Sequence, residues 1–141
     1  MSRENEELVR SIRAAWHRGD FRSAEWAHPE IDFVIADGPS PGEWMGVAGL
    51  AEGFRSILAA WAEFNVESES FRELDGERVL VLVHATGRGK ASGVSLEQMG
   101  SKAAELFHVH GGKVTRLVIY MNRENALADL GLSDQDAQAD S

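Results

Sequence analysis

Hydrophobic residues near the amino terminus follow a helical spacing. Leu8, Ile12 and Trp16 lie four residues apart, so they share one stripe of a helix, and that stripe must face a core. Acidic residues come before the stripe and Gly19 follows it, as is typical of the two ends of a helix. The pattern therefore predicts a first helix that begins at about Glu4.

Two further helices are predicted before the main run of strands. Asp20 can cap a short helix from Phe21 to about Ala27, which Pro29 ends. Apolar residues recur at helical spacing again between Val47 and Trp61. That pattern predicts a third helix, whose apolar face carries Leu50, Phe54, Ile57, Leu58 and Trp61.

The remaining apolar runs have the length and the β-branched content of strands. The first run, Ile31–Ala36, leads into a loop at Asp37–Gly42. Four more strands are predicted after the third helix, at about 64–74, 78–87, 103–110 and 114–122. Asp75-Gly76 and Gly111-Gly112 are hairpin turn signals between neighbouring runs, so these strands should pair antiparallel.

The order of the elements indicates the fold class. Because helices come first and an antiparallel sheet follows, we predict an α+β fold with a curved, mostly antiparallel sheet. Three amino-terminal helices should pack on its concave face, and a last short helix is predicted at Glu124–Leu130. A chain of 141 residues with 43% apolar content suits one domain, placed at 1–132, with an acidic tail at 133–141.

Charge and cysteine content narrow the range of functions. Fourteen basic against twenty-three acidic residues give a net charge of −9, which argues against nucleic acid and anionic membranes as partners. The absence of cysteine excludes disulfides, thiol nucleophiles and thiolate metal sites. An acidic amino terminus and the lack of a long apolar run lead us to expect a cytoplasmic protein.

Two acidic residues fall on apolar strand faces. Side chains alternate along a strand, so Asp37 ends the row that contains Phe33, and Glu105 begins the row that contains Phe107. If both rows line the concave side, two carboxyl groups point into an apolar cavity, where desolvation raises a carboxyl pKa. Such a pair suits proton transfer, with Asp37 as the base and Glu105 as a neutral acid.

Each of these acids also has a simpler interpretation. An aspartate before Gly38-Pro39 is well placed to cap a turn with its own side chain. A shift of one residue in the strand parity would place Glu105 on the solvent face. His108 and His110 share the opposite face of their strand, away from the predicted pocket, so we predict no metal site and no cofactor.

The predicted pocket wall is apolar. Trp44 is expected at its mouth, in the loop before the third helix, because a tryptophan supplies a large rigid surface. The residues predicted to contact a ligand come from both the helices and the concave strand rows, and they are Ile12, Trp16, Phe33, Trp44, Phe54, Phe107, Ile119 and Met121.

Several short motifs, taken in order, resemble the SnoaL-like proteins of the nuclear transport factor 2-like superfamily. They are Trp16-His17-Arg18-Gly19-Asp20, Ala36-Asp37-Gly38-Pro39 before Trp44-Met45-Gly46, and His110-Gly111-Gly112-Lys113-Val114. The resemblance covers about Leu8 to Leu132. It implies a cone-shaped α+β barrel with a strongly curved sheet and a pocket for a small apolar molecule. It also implies a homodimer formed through the convex sheet face, which carries Leu106, His108, Val118 and Tyr120.

The ketosteroid isomerase branch of that superfamily gives the two acids a possible meaning. Asp37 stands where that branch keeps its general base, and Glu105 where it keeps a protonated oxyanion-hole aspartate. The tyrosine of that branch corresponds to Ile12, which cannot donate a hydrogen bond, although Trp16 offers an indole N–H one turn further on. The two inward acids favour an isomerase, cyclase or dehydratase without a cofactor, whereas the missing tyrosine favours a domain without catalysis. The alternative is a non-catalytic ligand-binding or dimerisation domain.

Overall fold

A computed structural model describes residues 2–20, 24–38, 41–89 and 102–133 of the chain. These residues form three helices and six strands. In chain order the elements are α1 (Ser2–His17), β1 (Ala27–Ile35), β2 (Gly42–Met45), α2 (Gly46–Ala60), β3 (Trp61–Asp75), β4 (Arg78–Gly89), β5 (Lys102–His110), β6 (Lys113–Tyr120) and α3 (Arg123–Leu130).

The six strands form one curved, unclosed sheet in the order β2-β1-β6-β5-β4-β3. The β3–β4 and β5–β6 hairpins that Asp75-Gly76 and Gly111-Gly112 predicted are both present, and β4 pairs antiparallel with β5. One pairing, between β1 and β6, is parallel. The predicted α+β fold with a mostly antiparallel sheet is therefore confirmed.

The number of amino-terminal helices was predicted wrongly. Ala24 to Trp26 lie in a turn, and Ala27 already begins β1, while residues 21–23 lie outside the described part of the chain. The Val114 N–H donates to the Trp26 carbonyl at 2.8 Å, so the chain already pairs with β6 at this point. Tertiary pairing thus overrides the capping signal of Asp20.

A second difference concerns the segment after β1, which has the composition of a loop. Gly42–Met45 forms the short edge strand β2, with Trp44 paired opposite Phe33. Four residues give too short a pattern to predict a strand. The following helix agrees with the prediction, except that Trp61 leaves it and begins β3.

The two faces of the sheet are covered by different helices. On the concave face α1 packs against β3 and β4, while α2 packs against β1, β2 and β3. The short helix α3 lies on the opposite, convex face, against β5 and β6. Asn122 caps its start by accepting from the Glu124 N–H, and Gly131 ends it in the left-handed conformation with φ 67°.

Most of the convex residues predicted to form a partner surface are covered within one chain. Leu106, Val118 and Tyr120 are buried in a cluster with residues of α3, and His108 is half-buried. The Tyr120 hydroxyl donates to Asp129 of α3 at 2.9 Å. The sheet face of Tyr120 was predicted correctly. Its exposure to solvent was not, because the strand pattern does not show that α3 covers this face. None of the helices in the described residues is long and apolar enough to cross a membrane.

Candidate active site

A cavity of about 300 Å³ lies on the concave side of the sheet, between α1, α2 and strands β3 to β6. Most of its wall is apolar. Trp16 forms one boundary, where it packs edge-on against Phe54 with ring centroids 5.2 Å apart and stacks on Phe107 at 6.0 Å. This aromatic cluster therefore forms one end of the cavity.

Four of the eight predicted ligand-contacting residues line this cavity, namely Trp16, Phe54, Ile119 and Met121. Ile12, Phe33 and Phe107 share the same side of the sheet but are buried in the core behind it. Periodicity places these residues on the correct face, but it does not distinguish a core position from a lining position.

Trp44 was expected at the pocket mouth and lies elsewhere. Its ring is half-buried against Phe33, with centroids 5.8 Å apart, because β2 pairs with β1 and directs Trp44 towards α2. Gly53 of α2 faces both rings, and a Cβ there would come within 2.3 Å of the Phe33 ring. The missing side chain lets the helix approach the sheet closely at this point.

Glu105 lies on the concave side, as the alternation along β5 predicted, and lines the cavity. Its side chain is bound by Arg13 of α1, whose Nη1 lies 3.2 Å from Glu105 Oε2. Both residues are deeply buried, with 5% of Glu105 and 6% of Arg13 exposed. The cavity therefore contains a buried ion pair.

The Arg13 guanidinium is held in place by three hydrogen-bond partners on two strands. Besides its contact with β5, Nε donates to Ser68 Oγ at 3.0 Å and Nη2 donates to the Val66 carbonyl at 3.1 Å, both on β3. A planar guanidinium with three directed hydrogen bonds has little freedom to rotate. Arg13 is thus a fixed positive charge next to the carboxylate.

The two carboxylate oxygens of Glu105 differ in their hydrogen bonding. Oε1 is buried and has no hydrogen-bond partner among the described residues. Burial raises the pKa of the Glu105 carboxyl above its ordinary value, and the charge of Arg13 opposes that rise without cancelling it. Such a carboxyl can exchange a proton with a molecule in the cavity more readily than a solvent-exposed glutamate can.

Sequence reasoning missed Arg13, although a signal was present. Arg13 is four residues after Val9 and three before Trp16, so it belongs to the inward stripe of α1. The helix was interpreted from Leu8, Ile12 and Trp16 alone. A charged residue on that stripe, opposite an acid predicted to face inwards, could have suggested the pair.

Asp37, the other predicted catalytic acid, is not among the cavity-lining residues. Its Oδ1 accepts from the Met121 N–H at 2.5 Å, and its Oδ2 accepts from the Asn122 N–H at 3.2 Å and from Asn125 Nδ2 at 2.7 Å. These bonds join the end of β1 to the start of α3. They give the Asp37 carboxylate a long-range structural contact that differs from the local turn cap considered from the sequence, and its role as a base stays a prediction.

Comparison with known proteins shows the family to which this chain belongs. Residues 9–117 match the SnoaL-like domain. The chain belongs to the SnoaL-like family. No curated protein matches the sequence.

Solved structures of similar fold agree with this SnoaL-like assignment. A nuclear transport factor 2-like protein of unknown function from Burkholderia pseudomallei has a TM-score of 0.71 at 21% identity, covering 89% of this chain and 95% of that one. A nuclear transport factor 2-like protein from Burkholderia xenovorans has a TM-score of 0.64 at 28% identity, covering 85% and 90%. TerC, co-crystallised with polyporic acid, has a TM-score of 0.69 at 20% identity, covering 90% and 97%.

The mouth of the cavity in this SnoaL-like domain is formed by residues that the sequence did not indicate. The pairing of β3 with β4 shifts between Ala62 and Asn65, and Glu63 there has a positive φ of 54°. This bulge turns Phe64 and Asn65 towards the cavity. Leu58, at the end of α2, completes the rim and is 44% exposed.

The histidines of the SnoaL-like domain lie mainly away from this cavity. His110 pairs with Glu77 at 2.9 Å on the surface, and burial on the convex side lowers the pKa of His108. His17, at the end of α1, is an exposed residue at the cavity edge. In the described ranges, no group of three or more His, Cys, Asp or Glu side chains is arranged to hold a metal ion.

Proposed function

We propose that this SnoaL-like domain binds a small, mainly apolar molecule in its concave cavity and that Glu105 transfers a proton to or from it. One observation carries the proposal. The apolar wall of a cavity of about 300 Å³ ends at a buried carboxylate with one oxygen, Oε1, that has no partner among the described residues. A cavity that served only to complete the core would not be expected to contain a desolvated charge pair.

The chemistry that suits this arrangement is proton abstraction beside a carbonyl group. Glu105 Oε1 accepts a proton from the carbon next to the carbonyl, and the electron pair of that C–H bond moves onto the carbonyl oxygen to form an enolate. The fixed charge of Arg13 stabilises the negative charge that develops nearby. Return of the proton to another carbon completes an isomerisation. In a cyclisation the enolate carbon attacks a second carbonyl group of the same molecule, and the alkoxide that forms takes the proton back from Glu105.

This proposal differs from the sequence-based expectation in its choice of base. Asp37 was expected to act as the base and Glu105 as the neutral acid. Because three hydrogen bonds already engage the Asp37 carboxylate, we assign the proton transfer to Glu105, with Arg13 as its positioning residue. The structure of TerC with polyporic acid supports the use of such a fold for a small organic ligand.

The proposal is tested by deuterium exchange into the bicyclic ketone 2-tetralone, followed by NMR. The wild-type domain should accelerate exchange at the carbons beside the carbonyl, and Glu105→Gln should lose at least about a hundredfold of that acceleration, because the amide cannot accept the proton. Glu77→Gln is the matched control, since Glu77 is an exposed carboxylate paired with His110. Full exchange activity in Glu105→Gln would contradict the proposal.

A second candidate function is binding without catalysis. It is favoured by the position of Asp37, which leaves Glu105 as the carboxylate among the cavity-lining residues, whereas the catalytic arrangement expected from the sequence needed two acids. Ligand binding by the wild type without any ketone exchange would select this alternative.

The predicted homodimer also remains a proposal. A second copy that docked on the convex face would contact α3 as well as the strands, because α3 covers Leu106 and Val118. Sedimentation equilibrium would show whether the chain pairs.

A further inference from the structure

The cavity presents a buried hydrogen-bond acceptor to whatever occupies it. Glu105 Oε2 is held by Arg13 at 3.2 Å, whereas Oε1 is buried and has no donor among the described residues. A buried acceptor without a donor is unfavourable, and a ligand that supplies a donor removes that penalty. The ligand is therefore expected to bring a donor to this point.

We infer that the ligand carries a hydroxyl group on an unsaturated ring, either a phenol or a stable enol, and that its O–H donates to Glu105 Oε1. This inference rests on the proposed function of the cavity, and it adds the chemical class of the ligand. It also predicts the orientation of the bound ligand. The end that carries the hydroxyl should lie innermost, because Glu105 is buried.

Other polar groups fit this point less well. An ether, or a ketone in its keto form, leaves Glu105 Oε1 without a hydrogen-bond donor, so both should bind less tightly than the enol that the proposed proton transfer forms from a ketone. A carboxylate would add a like charge beside Glu105, and either a carboxylate or an ammonium group would bring an uncompensated charge out of water into a mainly apolar cavity whose own ion pair is neutral. A neutral hydroxyl donates to Glu105 and avoids this desolvation cost.

The surroundings also fit the proton transfer that such a hydroxyl permits. The O–H bond breaks, the proton moves to Glu105 Oε1, and the electron pair stays on the ligand oxygen. The resulting phenolate or enolate faces Arg13, which is fixed by Ser68 and the Val66 carbonyl. An acidic ring hydroxyl is therefore better suited to the site than an aliphatic alcohol, whose anion is much less stable.

Aromatic side chains near the pair favour a ring as the body of the ligand. Trp16, Phe54 and Phe64 all line the cavity. Aromatic rings pack well against one another in offset or edge-on arrangements. A flat hydroxylated ring can therefore place its face on this wall while its hydroxyl reaches Glu105.

The test compares 2-naphthol with 2-methoxynaphthalene by equilibrium dialysis in neutral buffer. The two probes share the same ring system, but only the naphthol can donate a hydrogen bond. The wild type should prefer 2-naphthol by about tenfold or more, as expected for a hydrogen bond to a charged acceptor. Glu105→Asp, which keeps a carboxylate, should retain a preference, and Glu77→Gln should not change it.

Glu105→Gln should abolish the preference. Arg13 would still hold the side-chain oxygen, so the amide NH₂ would face the cavity and offer a donor to the ether as well as to the naphthol. Circular dichroism would show whether the variant folds. If it does not fold, the ratio of the wild-type affinities for 2-naphthol and 2-methoxynaphthalene tests the inference.

The possible failures can be told apart. Equal binding of both probes by the wild type would overturn the hydroxyl inference while leaving the proposed binding function intact. A naphthol preference that persists unchanged in folded Glu105→Gln would overturn the assignment to Glu105. Failure of both probes to bind would overturn the proposed function and this inference together.

Discussion

The two faces of the same sheet are completed in different ways. On the convex side Leu80 and Leu82 are almost fully buried, and the short helix α3 closes the surface with the Tyr120–Asp129 hydrogen bond. On the concave side two longer helices cover more strands, yet a cavity with a buried ion pair remains. Strands rich in valine and leucine supply both faces, so a shortage of apolar residues does not explain the cavity.

The concave cavity contains charges whose burial costs free energy. Burying the Arg13 and Glu105 charges requires desolvation, which their mutual attraction offsets only if the geometry is good. Arg123 at the start of α3 is also buried and pairs with Glu69, but 44% of the Glu69 side chain is exposed, whereas both partners of the cavity pair are buried. Stability is therefore expected to reside in the convex packing and the concave core, whereas the cavity should hold the functional groups.

The largest effect is expected from removal of the Arg13 charge. Arg13→Met leaves the Glu105 carboxylate buried without its cation, which should lower the free energy of unfolding by about 3–5 kcal/mol. Arg10→Met is the control, because Arg10 pairs with Glu6 on the surface of the same helix and exposed pairs contribute at most about 1 kcal/mol. Urea unfolding at neutral pH would measure both. Similar losses in the two variants would contradict a buried, functional pair.

The same variant has a predicted pH dependence. Without Arg13 the folded-state pKa of Glu105 rises further, so the native state binds its proton more tightly than the unfolded chain does. The destabilisation of Arg13→Met should therefore be small below the ordinary glutamate pKa, where Glu105 is protonated in both states. It should grow as the pH rises through the raised pKa.

Deleting apolar side chains is expected to have a comparable or smaller effect on the convex face and a clearly smaller one at the cavity wall. Leu80→Ala in the packed convex cluster should cost about 2–5 kcal/mol, because it creates a new void. Ile57→Ala should cost only about 1–2 kcal/mol, because Ile57 already faces the cavity and has fewer packing partners to lose. Equal losses in urea unfolding would mean that the cavity wall is packed as tightly as the convex cluster.

Local patterns predicted much of the fold and one half of the site. Glu105 was placed inward correctly because the Gly111-Gly112 turn and the apolar alternation of β5 determine its register. The class of the fold followed from the order of helices and strands. These features depend on neighbours close in the sequence.

The rest of the site depends on contacts that are distant in the sequence. Arg13 meets Glu105 across 92 positions, and Asp37 meets Asn125 across 88. The turn at Ala24 to Trp26 was predicted as a helix because its pairing with β6 is equally remote. Periodicity also could not tell that Phe33 fills the core while Ile119, on the same face, lines the cavity.

The central claim is that Glu105 is a buried carboxyl able to exchange a proton in the cavity, and its pKa tests that claim most directly. NMR titration of the domain with labelled glutamate carboxyl groups would follow it, with Glu105→Gln identifying the signal by its absence. The account predicts that Glu105 titrates above the ordinary glutamate value, since burial outweighs the charge of Arg13. A pKa at or below the ordinary value would show that Glu105 is merely the anionic half of a structural ion pair.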